Sequence, residues 1–196
     1  MSDRTATLHR KTRETDIAIT LDLNGSGTCD IETGIPFMNH MLELFARHAL
    51  IDLDLQASGD LAVDYHHTVE DIGLVLGNAI DKALGDRRGI RRYGFSLLPM
   101  DESLAQVAVD LGGRPYLVYA IADKTPYIRD FNVKLIEEFF RAFVTQARMN
   151  LHINQLYGGE VHHAYESVFK GLARAMRMAV EDDPRESGVP SSKGTI

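Results

Sequence analysis

The chain has 196 residues, 44% of them apolar and 25% charged, with six prolines and a net charge of -7. It is long enough for one sizeable domain or two half-domains sharing a core, and its composition is that of an ordered globular protein. A negative balance without basic runs argues against nucleic acid as a partner, and no apolar run approaches the ~20 residues needed to cross a bilayer. The single cysteine, Cys29, cannot form an internal disulfide, and no apolar signal core follows Met1-Ser2-Asp3-Arg4. A cytoplasmic protein is expected.

Residues 16–23 alternate (Ile17, Ile19, Leu21, Leu23), and Asn24-Gly25-Ser26-Gly27 breaks the pattern before residues 28–32. This spacing predicts a β-hairpin. Met38, Met41, Leu42, Phe45 and Ala49 recur at helical spacing, and Ile51, Leu53, Leu55 and Ala57 then alternate as a strand does. Val69, Ile72, Leu76, Ala79, Ile80 and Ala83 mark one face of a second helix, which Gly85 ends. Residues 87–92 read as a linker. The order β-β-α-β-α then returns: strands over 104–111 and 116–121 around Gly112-Gly113-Arg114-Pro115, a helix over 133–149, a strand over 151–156, and a helical face from Val168 to Ala179. An internal duplication is the economical explanation, with halves 1–88 and 89–196. The expected fold is α+β: two β-β-α-β-α half-domains with sheets covered on one face by helices.

Each half opens its last helix with His-His-x-x-Glu, at His66, His67 and Glu70 and at His162, His163 and Glu166, with His162 96 residues after His66. Residues four apart share a helix face, so His66 with Glu70 can grip one ion, while His67 points about 100° away toward another. His162, Glu166 and His163 repeat the arrangement. Imidazole and carboxylate donors suit divalent Mn, Fe, Co or Zn, and the residues do not choose among them. A lone pair of adjacent histidines is as readily a solvated helix start. Two copies with glutamate at the same offset are not. His40 opens the first helix of its half, and Glu138 stands at the matching place in the other, so each half offers a third ligand. Asp64 and Asp71 read as capping or supporting residues, and His9, His48 and His152, which lack matched partners, as structural or surface residues.

Residues 64–71 (Asp64-Tyr65-His66-His67-Thr68-Val69-Glu70-Asp71), the string Gly34-Ile35-Pro36-Phe37-Met38-Asn39-His40-Met41, and Pro190-Ser191-Ser192-Lys193-Gly194 together resemble imidazoleglycerol-phosphate dehydratases. Arg13-Glu14-Thr15, Gly89-Ile90-Arg91-Arg92-Tyr93-Gly94, Pro99-Met100-Asp101-Glu102 and Gly112-Gly113-Arg114-Pro115-Tyr116 extend the likeness over nearly the whole chain. The resemblance implies a duplicated fold like that of ribosomal protein S5 domain 2. It also implies the histidine-biosynthesis dehydration of imidazole glycerol phosphate to imidazole acetol phosphate, two Mn2+ per site, and a 24-subunit homo-oligomer with sites shared between subunits. His40, His66, His67, Glu70, His162, His163 and Glu166 carry over as ligands; Glu138 stands where many members have histidine, and a carboxylate can still bind a hard ion. No phosphatase segment accompanies it, so a monofunctional enzyme is expected.

The proton to be removed sits on carbon beside the imidazole and is a weak acid. Metals on both ring nitrogens would hold the ring as an imidazolate that expels the hydroxyl through a diazafulvene-like species. Glu14, in the segment the resemblance puts at the substrate, is the candidate base. Arg92, Arg114, Ser191, Ser192 and Lys193 are candidates for the phosphate, the tail ordering when ligand binds. A dinuclear hydrolase and a metal-storage protein are the rival readings; storage proteins of the di-iron kind place Glu-x-x-His on long bundle helices instead.

Overall fold

The computed structural model describes residues 4–122 and 125–196. Met1-Ser2-Asp3, part of the start after which no apolar signal core is read, lies outside the described residues. The first unit runs β1 (Thr5–Lys11), β2 (Thr15–Asp22), β3 (Cys29–Glu32), α1 (Pro36–Ala49), β4 (Asp52–Gly59) and α2 (His66–Leu84). The second runs β5 (Tyr93–Met100), β6 (Ser103–Asp110), β7 (Tyr116–Ala120), a small hairpin of β8 (Tyr127–Ile128) and β9 (Phe131–Asn132), α3 (Leu135–Ala147), β10 (Asn150–Tyr157) and α4 (Val161–Val180). The two large sheets have the same order, β1-β2-β4-β3 and β5-β6-β10-β7, and in each the last pair is parallel. The duplicated α+β architecture is therefore present. Each unit carries one more leading strand than its apolar alternation disclosed.

The pairing within the sheets differs from the expected hairpin. β2 does not pair with β3: its edges are taken by β1 and β4, and β3 lies parallel to β4 with Cys29 opposite Leu53. The reason is local. Asp52 Oδ1 accepts the amides of Ser26, Gly27 and Thr28 at 2.8, 2.9 and 2.8 Å, which draws the 24–28 turn across to the head of β4. The real hairpin joins β1 to β2 around Thr12, whose hydroxyl accepts the amides of Glu14 and Thr15. In the second unit β10 likewise separates β6 from β7.

Burial pushes the Asp52 carboxyl up, but the three amide donors outweigh it and hold its pKa below the usual carboxylate value. Its contribution to stability is thus fully present above the ordinary carboxylate pKa and is lost as pH falls through the lower folded value. Asp52→Ala is expected to cost about 1–2 kcal/mol in a neutral-pH urea titration, and less at a pH where the wild-type carboxyl is protonated. An unchanged midpoint at neutral pH would separate Asp52 from the loop.

The helices lie against one face of each sheet, α2 on β1 and β2, α4 on β5 and β6. They also pack across the units, α1 against α4 and α2 against α3. Phe45, Phe139, Phe140, Phe143 and Phe169 are buried where these helices meet. α2 and α3 touch backbone to side: a Cβ on Gly73 would stand 2.5 Å from the Phe139 carbonyl oxygen, and one on Gly77 2.4 Å from that of Phe143. Arg87, read as linker, is 2% exposed and sits under the ends of α2 and α3.

Candidate active site

Both His-His-x-x-Glu motifs occupy the first turn of a helix that leaves the end of a central strand, α2 after β4 and α4 after β10. The helix starts are fixed by carboxylates. Asp64 Oδ1 accepts the His66 amide at 2.8 Å, and Glu160 Oε2 accepts the His163 amide at 2.8 Å. Asp64 thus holds the first amide of α2 from the residue before its N-cap, Tyr65. Asp71 accepts from the Thr15 hydroxyl and pairs with Arg10, tying α2 to the β1–β2 turn that carries Glu14.

In the second motif three donors from two helices meet. His40 Nε2, from α1, lies 2.8 Å from Glu166 Oε1, and His162 Nε2 lies 3.2 Å from the same oxygen. Glu166 is 8% exposed; burial pushes its carboxyl up, but the Lys170 ammonium together with His40 and His162 holds it down at about 2. At neutral pH it is a carboxylate. Two donors bound at right angles to an ion through ~2.1 Å bonds stand ~3 Å apart, so this spacing suits a shared divalent ion as well as it suits hydrogen bonds.

The first motif is looser. His66 Nε2 lies 3.6 Å from Glu70 Oε2. Glu138, the expected third ligand, is half-buried on α3 and makes no hydrogen bond or ion pair with His66 or Glu70 among the described residues. One hollow holds His40 and His162, another His66, and Asp130 of the turn between β8 and β9 lines both.

The second histidine of each motif points elsewhere, as the helical angle requires; the His66 and His67 rings are inclined by 88°. His67 Nδ1 lies 2.9 Å from Asp60 and 4.0 Å from Glu14 Oε2. His163 Nδ1 lies 2.9 Å from Glu102. These hydrogen bonds raise both imidazole pKa values, and the bond from His163 holds Glu102 down at about 2. Glu14, the sequence candidate for a base, is therefore brought beside the first motif. Asp60, Glu102 and Lys170 had drawn no role from the sequence; the signals on offer were the placement of Lys170 one turn past Glu166 and of Glu102 in the family-like string 99–102.

The phosphate candidates gather at the other end of the second sheet. Arg92 is bidentate on Asp110 at 2.6 and 3.0 Å and donates to the Pro190 carbonyl at 2.7 Å. The Arg114 carbonyl accepts from Asn150 at 2.6 Å, and a Cβ on Gly113 would stand 2.7 Å from Ile196, so the tail bearing Ser191, Ser192 and Lys193 lies beside the β6–β7 loop. Arg114, Ser192 and Lys193 are exposed. The strand from Asn150 to Tyr157 separates this group from His162 and His163, about 23 Å at ~3.3 Å per residue.

The model of one family, imidazoleglycerol-phosphate dehydratase, matches residues 33–176. The chain belongs to that family. A dehydratase of this name from Geobacter metallireducens is 53% identical over 98% of this chain and 99% of its own, and one from Methylorubrum populi 53% identical over 98% and 100%. Among solved structures, the imidazoleglycerol-phosphate dehydratase of Staphylococcus aureus superposes with a TM-score of 0.83 at 37% identity over 91% of this chain and 99% of that one. That of Pyrococcus furiosus, in complex with (S)-C348, gives 0.83 at 33% identity over 96% and 100%. Membership makes the chain an enzyme, a hydro-lyase. Among the described residues no helix is long and apolar enough to cross a membrane.

Proposed function

We propose that the enzyme dehydrates D-erythro-imidazole glycerol phosphate to imidazole acetol phosphate, a step of histidine biosynthesis, at a site holding two Mn2+ ions. The observation that carries this reading is the convergence of His40, His162 and Glu166, one donor from the first unit and two from the second, in a chain of this family. His40, His162 and Glu166 would hold one ion; His66, Glu70 and Glu138 are the matched set for the other, with His67 and His163 reaching across. Bound there, the ions would act as Lewis acids toward the ring nitrogens of the substrate and make the adjoining C–H acidic. Glu14 would take that proton, since its carboxylate is beside His67 yet accepts no hydrogen bond among the described residues. Arg114, Ser191, Ser192 and Lys193 would hold the phosphate, with Arg92 anchoring the tail that presents them.

The separation of the phosphate group from the histidines supports a site completed by another copy of the chain, and we extend the proposal to a 24-subunit homo-oligomer acting in the cytoplasm. The outer face of edge strand β5 supports association. Tyr93, Phe95 and Leu97 are 57%, 68% and 61% exposed there, where the first unit has Thr5, Thr7 and His9.

Product analysis with imidazole glycerol phosphate and Mn2+ tests the reaction: acetol phosphate is expected, and release of inorganic phosphate would identify a hydrolase instead. Lys193→Ala is expected to raise KM about tenfold with kcat largely kept, the loss of one charge-assisted contact. An unchanged KM would remove Lys193 from the phosphate site.

A further inference from the structure

We propose that Asp60 and Glu102 are positioning residues of the metal centre, each accepting the Nδ1–H of the outer histidine of its motif and so leaving Nε2 of His67 and of His163 as the ligating nitrogen. The proposal rests on the two-metal reading above. A neutral imidazole has one N–H; when Nδ1 donates it, the lone pair must lie on Nε2. Both Nδ1 to carboxylate distances are 2.9 Å. Such outer carboxylates orient a ligating histidine and raise its basicity.

The two units reach the same end by different means. Asp60 comes from the end of β4. Glu102 comes from the β5–β6 turn, and its counterpart in the first unit is Glu14: Thr15 and Ser103 open the equivalent strands β2 and β6 with the same burial pattern, and each directly follows its glutamate. At the place that Asp60 takes after β4 the second unit has Gly158, and the next carboxylate after β10, Glu160, accepts the His163 amide. Strand β10 bulges between Gln155 and Tyr157 and runs into Gly158-Gly159, and a Cβ on Gly158 would stand 2.5 Å from the Ser103 hydroxyl. The turn glutamate of the second unit is therefore the carboxylate on Nδ1 of His163, 2.9 Å away, while Glu160 and Asp101 come no nearer to that ring than 3.9 Å, at Nε2. In the first unit Asp60 holds His67, and Glu14 stays 4.0 Å from that ring. After duplication one turn glutamate holds a ligand while the other is left free for proton transfer.

Two measurements on the full-length protein test this. In metal-free protein carrying 15N-labelled histidine, at about pH 9 where imidazoles are neutral, His67 and His163 are expected to show a protonated Nδ1 and a bare Nε2. Asp60→Ala and Glu102→Ala are expected to return the respective ring to the mixture of a free imidazole. In a Mn2+ titration against a competing chelator both variants are expected to bind about 10–100-fold more weakly, and Glu102→Gln, whose amide oxygen can still accept, to recover most of the loss. Ring signals unchanged in the folded alanine variants would overturn the proposal, as would weakened Mn2+ binding without a change of tautomer. A parent protein that binds no Mn2+ would overturn the two-metal reading itself, a result separate from the ring signals.

Discussion

Glu14→Gln is expected to lower kcat about 10²–10⁴-fold while leaving Mn2+ content and substrate affinity near those of the parent enzyme. The substitution keeps shape and length and removes only the ability to take a proton. The turn around Glu14 should survive it, because Thr12 holds the backbone there and Thr15 is bonded to Asp71 on α2, neither contact involving the Glu14 side chain. His67 keeps its nearer partner, Asp60. Steady-state kinetics with metal analysis of the same samples separates the possibilities: a fall in kcat with metal retained supports a base, whereas loss of manganese would make Glu14 a structural residue of the centre.

The second large effect concerns folding. Arg87→Met is expected to destabilise the chain by about 3–5 kcal/mol, a large part of the ~5–15 kcal/mol of a typical domain. Arg87 adopts a left-handed backbone, φ 59°, and turns its side chain inward. The guanidinium donates to the carbonyls of Leu111, Arg148 and Ala147 at 2.8, 3.0 and 2.8 Å and pairs with Asp81 on α2. It closes the carbonyl end of α3, which has no donors of its own. Methionine fills much of the volume but leaves those acceptors and Asp81 without their donor. Arg87→Lys should lose most of the same energy, because a single ammonium cannot face four acceptors in the plane of a fork. A urea midpoint within error of the wild type would show that the buried charge contributes nothing net.

Arg87 also shows where sequence reading stops. Between two periodic segments, residues 87–92 with four arginines look like a solvated connector, and nothing in their order says that one cation turns inward. Helices were legible because their pattern is local: Met38 to Ala49 and Val69 to Ala83 each describe a face. Strand partners were not, because pairing is decided far along the chain, as when Asp52 takes the amides at 26–28 and removes β3 from β2. The ligand candidates followed from a repeated motif and needed no structure. The contacts of Asp60 with His67 and of Glu102 with His163 needed it, since a carboxylate meets its partner only through the turn that aims it, and Arg92 needed it for the opposite reason: its charge read as a phosphate contact, while its fork is engaged by Asp110.

The exchange of helix partners between units has a bearing on cooperativity. Because α1 leans on α4 and α2 on α3, the helix faces turned away from each sheet are covered by the other unit. Severed at the connector, each would present a bare apolar helix layer to water, a surface that a folded monomer of about 90 residues cannot sustain. The chain is therefore expected to melt in one transition rather than two, with a destabilising change in either sheet felt at both histidine motifs at once.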